Sequence, residues 1–289
     1  MSSESMKPSP RILLCSDLDR TLLPNGQAPE SARARPLLRR LAQRPEVMLA
    51  YVSGRHRELI QEAIEQYQLP LPAMAVGDVG TTIYEICGGQ WKSWNDWDRE
   101  IAVDWKGRTR EALAAMLSDI ESLSLQEPEK QNRHKLSYYV DVTVDAQALV
   151  RAVETRLAQA GLAVSVVWSI DEQNDVGLLD VLPRRATKLH AVRFLGRKTS
   201  VSPDRVVYAG DSGNDMAVLV SDIRAVLVQN ASDSVRREAR QKSGQNGNRE
   251  RLYLSRGGFL GMNGNYAAGV LEGLAHFFPE TGNWLQASD

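Results

Sequence analysis

Cysteine is nearly absent from this sequence, with two in 289 residues, Cys15 and Cys87. A pair so widely separated builds neither a disulfide framework nor a thiolate metal site, and both thiols are expected to be buried. Long apolar runs are missing as well, since no stretch approaches the roughly 20 residues that cross a bilayer. Met1 to Pro10 is polar and lacks the apolar centre of a signal peptide. A cytoplasmic protein with no membrane partner is the expectation. Charge of one sign is not in excess: 35 basic against 36 acidic residues give a formal net charge of -1, too little to attract nucleic acid through a broad field. The partner is therefore expected to be a small molecule. No repeat of fixed period occurs. What is present is an ordinary globular composition, 43% apolar and 25% charged, at a length that suits two domains.

Short apolar runs alternate with helical patterns at the start of the chain, the signature of a parallel sheet flanked by helices. Strands are predicted at Arg11 to Ser16, Val47 to Val52 and Ala73 to Val76. Helices are predicted from Glu30 to Gln43, with Leu37, Leu38 and Leu41 on one face, and from Arg57 to Tyr67. Near Tyr84 the texture changes and tryptophan becomes dense, at positions 91, 94, 97 and 105. An inserted domain over 85–183 is expected, with helices around Thr109 to Leu123 and from Ala146 to Ala160, and strands at His134 to Val142, Ala163 to Trp168 and Leu178 to Leu182. Residues 1–84 and 184–289 form the other domain, which resumes with a helix from Ala186 to Leu195. Strands follow at Arg205 to Ala209 and Ala225 to Val228, with a helix after Asn214 between them. Asp233 to Arg251 is so polar that a mobile surface loop is predicted, with the basic run Arg236, Arg237, Arg240 and Lys242 read as a solvated helix face rather than a ligand site.

Three short motifs fall where strands end, the edge at which open parallel sheets place ligands. Asp17-Leu18-Asp19-Arg20-Thr21 sets two carboxylates one residue apart, able to converge on one ion or phosphoryl group or merely to cap a turn. A carboxylate can attack phosphorus and form a mixed anhydride while a neighbouring acid protonates the departing alkoxide. Ser53-Gly54-Arg55 offers a hydroxyl and unobstructed backbone N–H groups to phosphate oxygens, although such a turn is commonly structural. Gly210-Asp211-Ser212-Gly213-Asn214-Asp215 adds two acids four residues apart. An all-oxygen set of this kind suits Mg²⁺. Lys188, which opens a helix after the insert, is a surface lysine taken singly and a source of fixed positive charge for a transferring phosphoryl group taken with the rest.

In this order the motifs resemble the four of the haloacid dehalogenase-like hydrolase superfamily, over the whole chain. The resemblance implies an α/β fold, a Rossmann-like parallel-sheet core with an inserted type-two, subclass B α/β cap that closes over the active site. It implies that Asp17 is phosphorylated and that Asp19 protonates the leaving group and then activates water. Mg²⁺ would be held by Asp17, the backbone carbonyl of Asp19 and Asp211, with Asp215 behind them or acting through water. Ser53, Gly54, Lys188 and Asn214 would bind the phosphate. The family usually carries glycine where Arg20 stands, which leaves the role of Arg20 open.

Three further stretches, His134 to Val140, Leu179 to Lys188 and Tyr266 to His276, are similar to those of sucrose-phosphate phosphatases and of relatives acting on mannosylfructose phosphate. That similarity implies hydrolysis of a phosphorylated disaccharide, sucrose 6-phosphate first, with mannosylfructose phosphate or a glycosylglycerate phosphate as alternatives. Lys135 and Asp171 become the candidates for sugar contacts. A cognate glycosyl-phosphate synthase is the candidate protein partner. Two rivals use the same residues otherwise: a phosphomutase or phosphotransferase, and a non-catalytic subunit that only binds sugar phosphate.

Overall fold

The computed structural model describes residues 12–171 and 174–286. Met1 to Pro10, and Arg11 at the head of the first predicted strand, lie outside them. Two compact units emerge, one running to Lys92 and resuming at Lys188, the other Ser93–Thr187.

In the first unit β1 (Ile12–Ser16), α1 (Ala34–Ala42), β2 (Val47–Val52), α2 (Arg57–Gln66) and β3 (Met74–Gly77) alternate as the sequence predicts. Helix α1 begins four residues later than expected because Pro36 lacks an N–H, which costs nothing only in a first helical turn. Its Leu37, Leu38 and Leu41 are buried. Every residue of β1 is buried, as in a parallel strand covered on both faces. Strands β4 (Thr82–Cys87) and β5 (Gln90–Ser93) then form a hairpin. Its turn, Gly88 (φ +57°) and Gly89 (φ +81°), needs two residues in the left-handed region, which glycine enters without strain. This hairpin extends the first unit's sheet, so the compact unit ends at Lys92 rather than at the Tyr84 change of texture. Cys87 is exposed at the hairpin. The expectation of two buried thiols therefore holds for Cys15 and fails for Cys87, since a strand residue beside a two-glycine turn has little around it to cover it.

The second unit holds α3 (Asn95–Ala102), α4 (Arg110–Met116), β6 (Ser124–Leu125), β7 (Leu136–Val140), α5 (Ala146–Gln159), β8 (Val164–Asp171) and β9 (Val176–Pro183). Its four strands pair in the order β6-β7-β9-β8. Helix α5 lays Leu149, Val153 and Leu157 onto that sheet, against Leu136, Tyr138, Leu179 and Val181. Helix α4 stops well short of the predicted Leu123, and just beyond it the Ser118 hydroxyl donates back to the Ala115 carbonyl, the competition by which serine weakens helices. Trp97 and Trp105 are buried at 0% and 1% exposure, so both serve as packing rather than as open stacking faces.

The chain returns to the first unit through α6 (Lys188–Thr199), β10 (Val206–Gly210), α7 (Met216–Leu219), β11 (Arg224–Leu227), α8 (Asp233–Gln245), β12 (Leu252–Leu254), α9 (Ala267–Phe277) and α10 (Pro279–Gln286). The predicted loop at 233–251 is largely helix α8. Ser232 caps it by accepting from Val235 N, Lys242 pairs with Glu238 one turn earlier, and the helix ends before Gly247 (φ +73°). Polarity obscured this helix, whose buried residues are only Ala239 and Ser243. Arg236 is not solvated as predicted, for it donates to the Val228 and Ser255 carbonyls at 3.1 and 2.9 Å.

The sheet of the first unit runs β12-β11-β10-β1-β2-β3-β4-β5, parallel from β12 to β3 and antiparallel at β3–β4. The chain moves outward from β1 through β2 and later returns to place β10 on the other side of β1, so the strand order reverses there and the loops after β10, β1 and β2 diverge around one crevice. Helix α9 lies against β11. A Cβ on its Gly273 would meet the Val226 side chain at 2.3 Å, so glycine sets that close approach. Among the described residues no helix is long and apolar enough to cross a membrane.

Candidate active site

Asp17, Ser53 and Asp211 each follow the last residue of a neighbouring parallel strand, β1, β2 and β10. The register pairs Ser16 with both Ala209 and Tyr51, and Asp17 N continues the ladder by donating to Ala209 O at 2.9 Å. Strand pairing, rather than any local feature of the loops, brings these residues together. Carboxylate oxygens of Asp17, Asp211 and Asp215 lie within 4.8 Å of one another, and all three residues are buried.

The three acids are not equivalent. Both oxygens of Asp215 are already engaged. Oδ1 accepts from Lys188 Nζ at 2.7 Å and from the Tyr208 hydroxyl, and Oδ2 accepts from the Asp211 and Ser212 amides at 3.0 and 3.2 Å. Asp215 therefore ties the loop after β10 to the lysine. Gly210 makes room for it, since a Cβ there would fall 2.5 Å from the Asp215 carboxyl carbon. Asp211 Oδ2, by contrast, is buried with no hydrogen bond. A buried carboxylate oxygen left open in this way, beside a second carboxylate, fits a hard divalent cation that takes oxygen ligands.

Lys188 Nζ sits 3.0 Å from Asp17 Oδ1 as well as 2.7 Å from Asp215 Oδ1, and 3.4 Å from Asn214 Oδ1. It is not a surface lysine: its side chain is 14% exposed. Burial alone would depress its pKa, yet the two carboxylates hold it above the usual lysine range. Burial pushes Asp17 up to about 7, with the Lys188 ammonium opposing and the Asp215 charge adding to the rise. Asp211 is also raised, by burial first and by Asp215 second, against the opposing charge of Arg20. Lys188 thus serves Asp17 and Asp215, and only the half-exposed Arg20 faces Asp211, so three clustered acids meet two cations, a deficit of positive charge that a divalent metal would fill.

Asp19 faces a different environment. Arg55 grips it bidentately, Nε to Oδ2 at 2.8 Å and Nη2 to Oδ1 at 2.6 Å, and Asn25 Nδ2 donates to Oδ1 at 2.7 Å. Partial burial would raise its pKa, but the Arg55 hydrogen bonds and charge, helped by Asn25, hold it below the usual carboxylate range. In the sequence Arg55 only ends the Ser53-Gly54-Arg55 motif, which assigns it no role of its own. Its signal was available, because a basic residue in the turn after β2 lies beside the turn after β1. Ser53 is buried, its Oγ accepting from Arg55 N at 3.2 Å, while a Cβ on Gly54 would meet nothing within 4 Å. Gly54 is open backbone rather than a steric necessity.

The sign of the Asp19 shift makes Arg55→Gln informative. A depressed pKa stabilises the fold above the unfolded value, and that contribution is lost as pH falls through the folded value. The urea midpoint of the variant should therefore fall below wild type at pH 7, and the gap should close below about pH 4. A gap that persists unchanged into acid would assign Arg55 to packing instead.

Lys135 and Asp171 belong to the second unit, where they lie apart from each other. Strand β9 carries the register: Leu136, next to Lys135, pairs with Val181, whereas Asp171 pairs with Val176, a separation of roughly 15–20 Å along the strand. Lys135 is half-buried. Its side chain is 15% exposed, with Nζ 3.8 Å from Asp180 Oδ1 and donating to Lys130 O at 3.2 Å. Asp171 accepts from Asn174 Nδ2 at 2.8 Å.

Comparison with known proteins gives the family. Residues 10–278 match the family model described as sucrose-6F-phosphate phosphohydrolase. The chain is 56% identical over 276 residues, 96% of its length and 74% of the relative's, to a putative HAD-like hydrolase of Nitrosococcus oceani. It is 26% identical over 243 residues to sucrose-phosphatase 2 of Nicotiana tabacum, covering 80% of this chain but 53% of the tobacco protein, so it spans about half the length of that relative. Among solved structures, the sucrose-phosphatase of Synechocystis sp. PCC6803 in complex with sucrose and phosphate superposes with a TM-score of 0.69 at 26% identity, over 93% of this chain and 98% of that one. A haloacid dehalogenase-like fold, a buried acid cluster at its sheet edge and a family match along nearly the whole described chain converge: this chain belongs to the sucrose-6F-phosphate phosphohydrolase family of sugar phosphatases.

Proposed function

We propose that the chain hydrolyses the phosphate ester of a disaccharide, sucrose 6-phosphate, through a phosphorylated Asp17. The observation that carries the reading is the meeting of Asp17, Asp211, Asp215 and Lys188 at the carboxyl edge of β1 and β10. A buried carboxylate held beside a fixed ammonium is pre-oriented and stripped of solvent, two conditions that favour attack on phosphorus. In the first half-reaction an Asp17 oxygen bonds to phosphorus, the bond from phosphorus to the sugar oxygen breaks, and Asp19 gives that oxygen its proton. In the second, Asp19 takes a proton from water as the water oxygen bonds to phosphorus and Asp17 is released. Arg55 favours the ionised form of Asp19, so the base role comes readily, and the acid role requires the Arg55 contact to open.

Lys188, Asn214, Ser53 and the Gly54 amide are proposed to bind the phosphoryl oxygens, with the Lys188 charge opposing what builds on them. Mg²⁺, held by Asp17, the Asp19 carbonyl and Asp211, would supply charge neutralisation of the phosphate dianion. Asp215 supports that set through Lys188 and the Asp211 amide. The inserted unit is proposed to choose the sugar, with Lys135 and Asp171 each a candidate for a hydroxyl contact.

Phosphate release from sucrose 6-phosphate, mannosylfructose phosphate and a glycosylglycerate phosphate, with no acceptor added, tests the reading. Sucrose 6-phosphate should show the highest kcat/KM, by about tenfold or more, since a site built to hydrogen-bond a sugar hydroxyl rejects analogues lacking it. Equal values across the panel would overturn the sucrose assignment. No release without an acceptor would replace the hydrolase by a phosphotransferase.

A further inference from the structure

Arg20 has no part in the chemistry above, yet it is placed with some care. Its backbone adopts φ +56°, in the left-handed region that a long side chain rarely enters. Two side chains hold it there: Arg20 N donates to Asn25 Oδ1 at 2.8 Å, and Asn230 Nδ2 donates to Arg20 O at 2.6 Å. The stem passes beside Gly26, where a Cβ would lie 3.6 Å from Arg20 Cγ. This backbone aims the guanidinium at the acid cluster, with Nε 3.4 Å from Asp211 Oδ2. That is the buried oxygen with no hydrogen bond, the one best suited to a metal. Lys188 bonds to Asp17 and Asp215, so the cation at Asp211 is Arg20.

We infer that Arg20 and the divalent metal compete for Asp211, so that the arginine sets the affinity of the site for Mg²⁺. The inference rests on the proposed metal set. A metal ion bonded to an Asp211 oxygen stands about 2.1 Å from it, and a guanidinium a few ångströms away is then repelled. The arginine can leave at modest cost, because its side chain is 51% exposed against 2% for Asp211. Binding of the metal is thus an exchange of one cation for another. The apparent affinity falls in proportion to the fraction of molecules in which Arg20 occupies the oxygen. Asn25 donates to Asp19 and accepts from Arg20 N, so the loop that steers Arg20 is itself braced by the first motif.

Titrating Mg²⁺ alone into chelator-stripped protein by calorimetry tests this without reference to turnover. Alanine and lysine are the useful replacements, since both keep a Cβ at a left-handed φ, whereas glycine would also relieve the backbone. Arg20→Ala should bind Mg²⁺ about three- to tenfold more tightly than wild type, the range of a half-exposed ion pair, and the gain should shrink as monovalent salt screens the pair. Arg20→Lys should stay near wild type, and Arg20→Gln should repeat the alanine result if the charge is what matters. Unchanged or weaker binding by both neutral variants would overturn the competition. Absence of Mg²⁺ binding by wild type would instead sink the metal assignment on which it rests.

Discussion

Asp17→Asn should abolish phosphate release from sucrose 6-phosphate, a fall of about 10³-fold or more, while leaving the fold intact. The amide fills the same volume in a side chain that is 6% exposed. It cannot act as the anionic nucleophile, and it offers a metal a neutral oxygen in place of a charged one. Stability should change little, within about 1 kcal/mol, because two effects oppose. The variant loses a charge-assisted contact with Lys188 at 3.0 Å, and it relieves the crowding of three carboxylates within 4.8 Å. Rapid-mixing assays of phosphate release together with urea unfolding measure both quantities. Activity retained within tenfold would remove Asp17 from the chemistry, and loss of activity with loss of fold would leave its role structural.

Lys188→Met should have the largest effect on stability. It removes the ammonium between Asp17 and Asp215 and leaves two buried carboxylates facing each other, a defect that costs about 3–5 kcal/mol when one member of a buried ion pair is deleted. Asp215 retains its bonds from Tyr208 and the loop amides, so the burden falls on Asp17. The raised Asp17 pKa gives the direction with pH: in the variant, with the ammonium gone, protonation of Asp17 is favoured further, so the deficit should be smaller in acid and larger as pH rises through 7. Adding Asp17→Asn to Lys188→Met should recover part of the stability, and the double-mutant cycle isolates the interaction. Strict additivity of the two substitutions would show that the 3.0 Å contact contributes nothing to folding.

The strands and motifs at the carboxyl edge were legible in the sequence because each announces itself locally. Fully apolar runs such as Ile12 to Cys15 can only be buried, and each motif begins where its run ends. What joins the motifs is strand order, and the resemblance to a known family supplied it. The environment of each acid was not legible. That Asp215 is saturated with donors, that Asp211 keeps an open oxygen and that Arg55 holds Asp19 all depend on contacts between residues far apart in the chain. Helix α8 was obscured for another reason: a helix that lies on the surface with few buried side chains lacks the apolar stripe from which helices are read. The surroundings of Lys135 were hidden for the same reason as those of the acids, since the Asp180 that lies beside it stands on a strand paired only in three dimensions.

The unlike fates of the two cysteines turn the protein into its own probe. Cys87 is exposed beside the β4–β5 turn, whereas Cys15 lies inside β1 at 0% exposure, its thiol pushed far above the ordinary range by burial. A thiol reagent therefore finds one reactive group on the native molecule and can fix a dye or spin label there without mutagenesis. The second group becomes reactive only when β1 opens, so its rate of modification clocks excursions of the strand that ends just before Asp17. A molecule with so little sulfur thus carries both a handle and a stopwatch, the latter two residues from its proposed nucleophile.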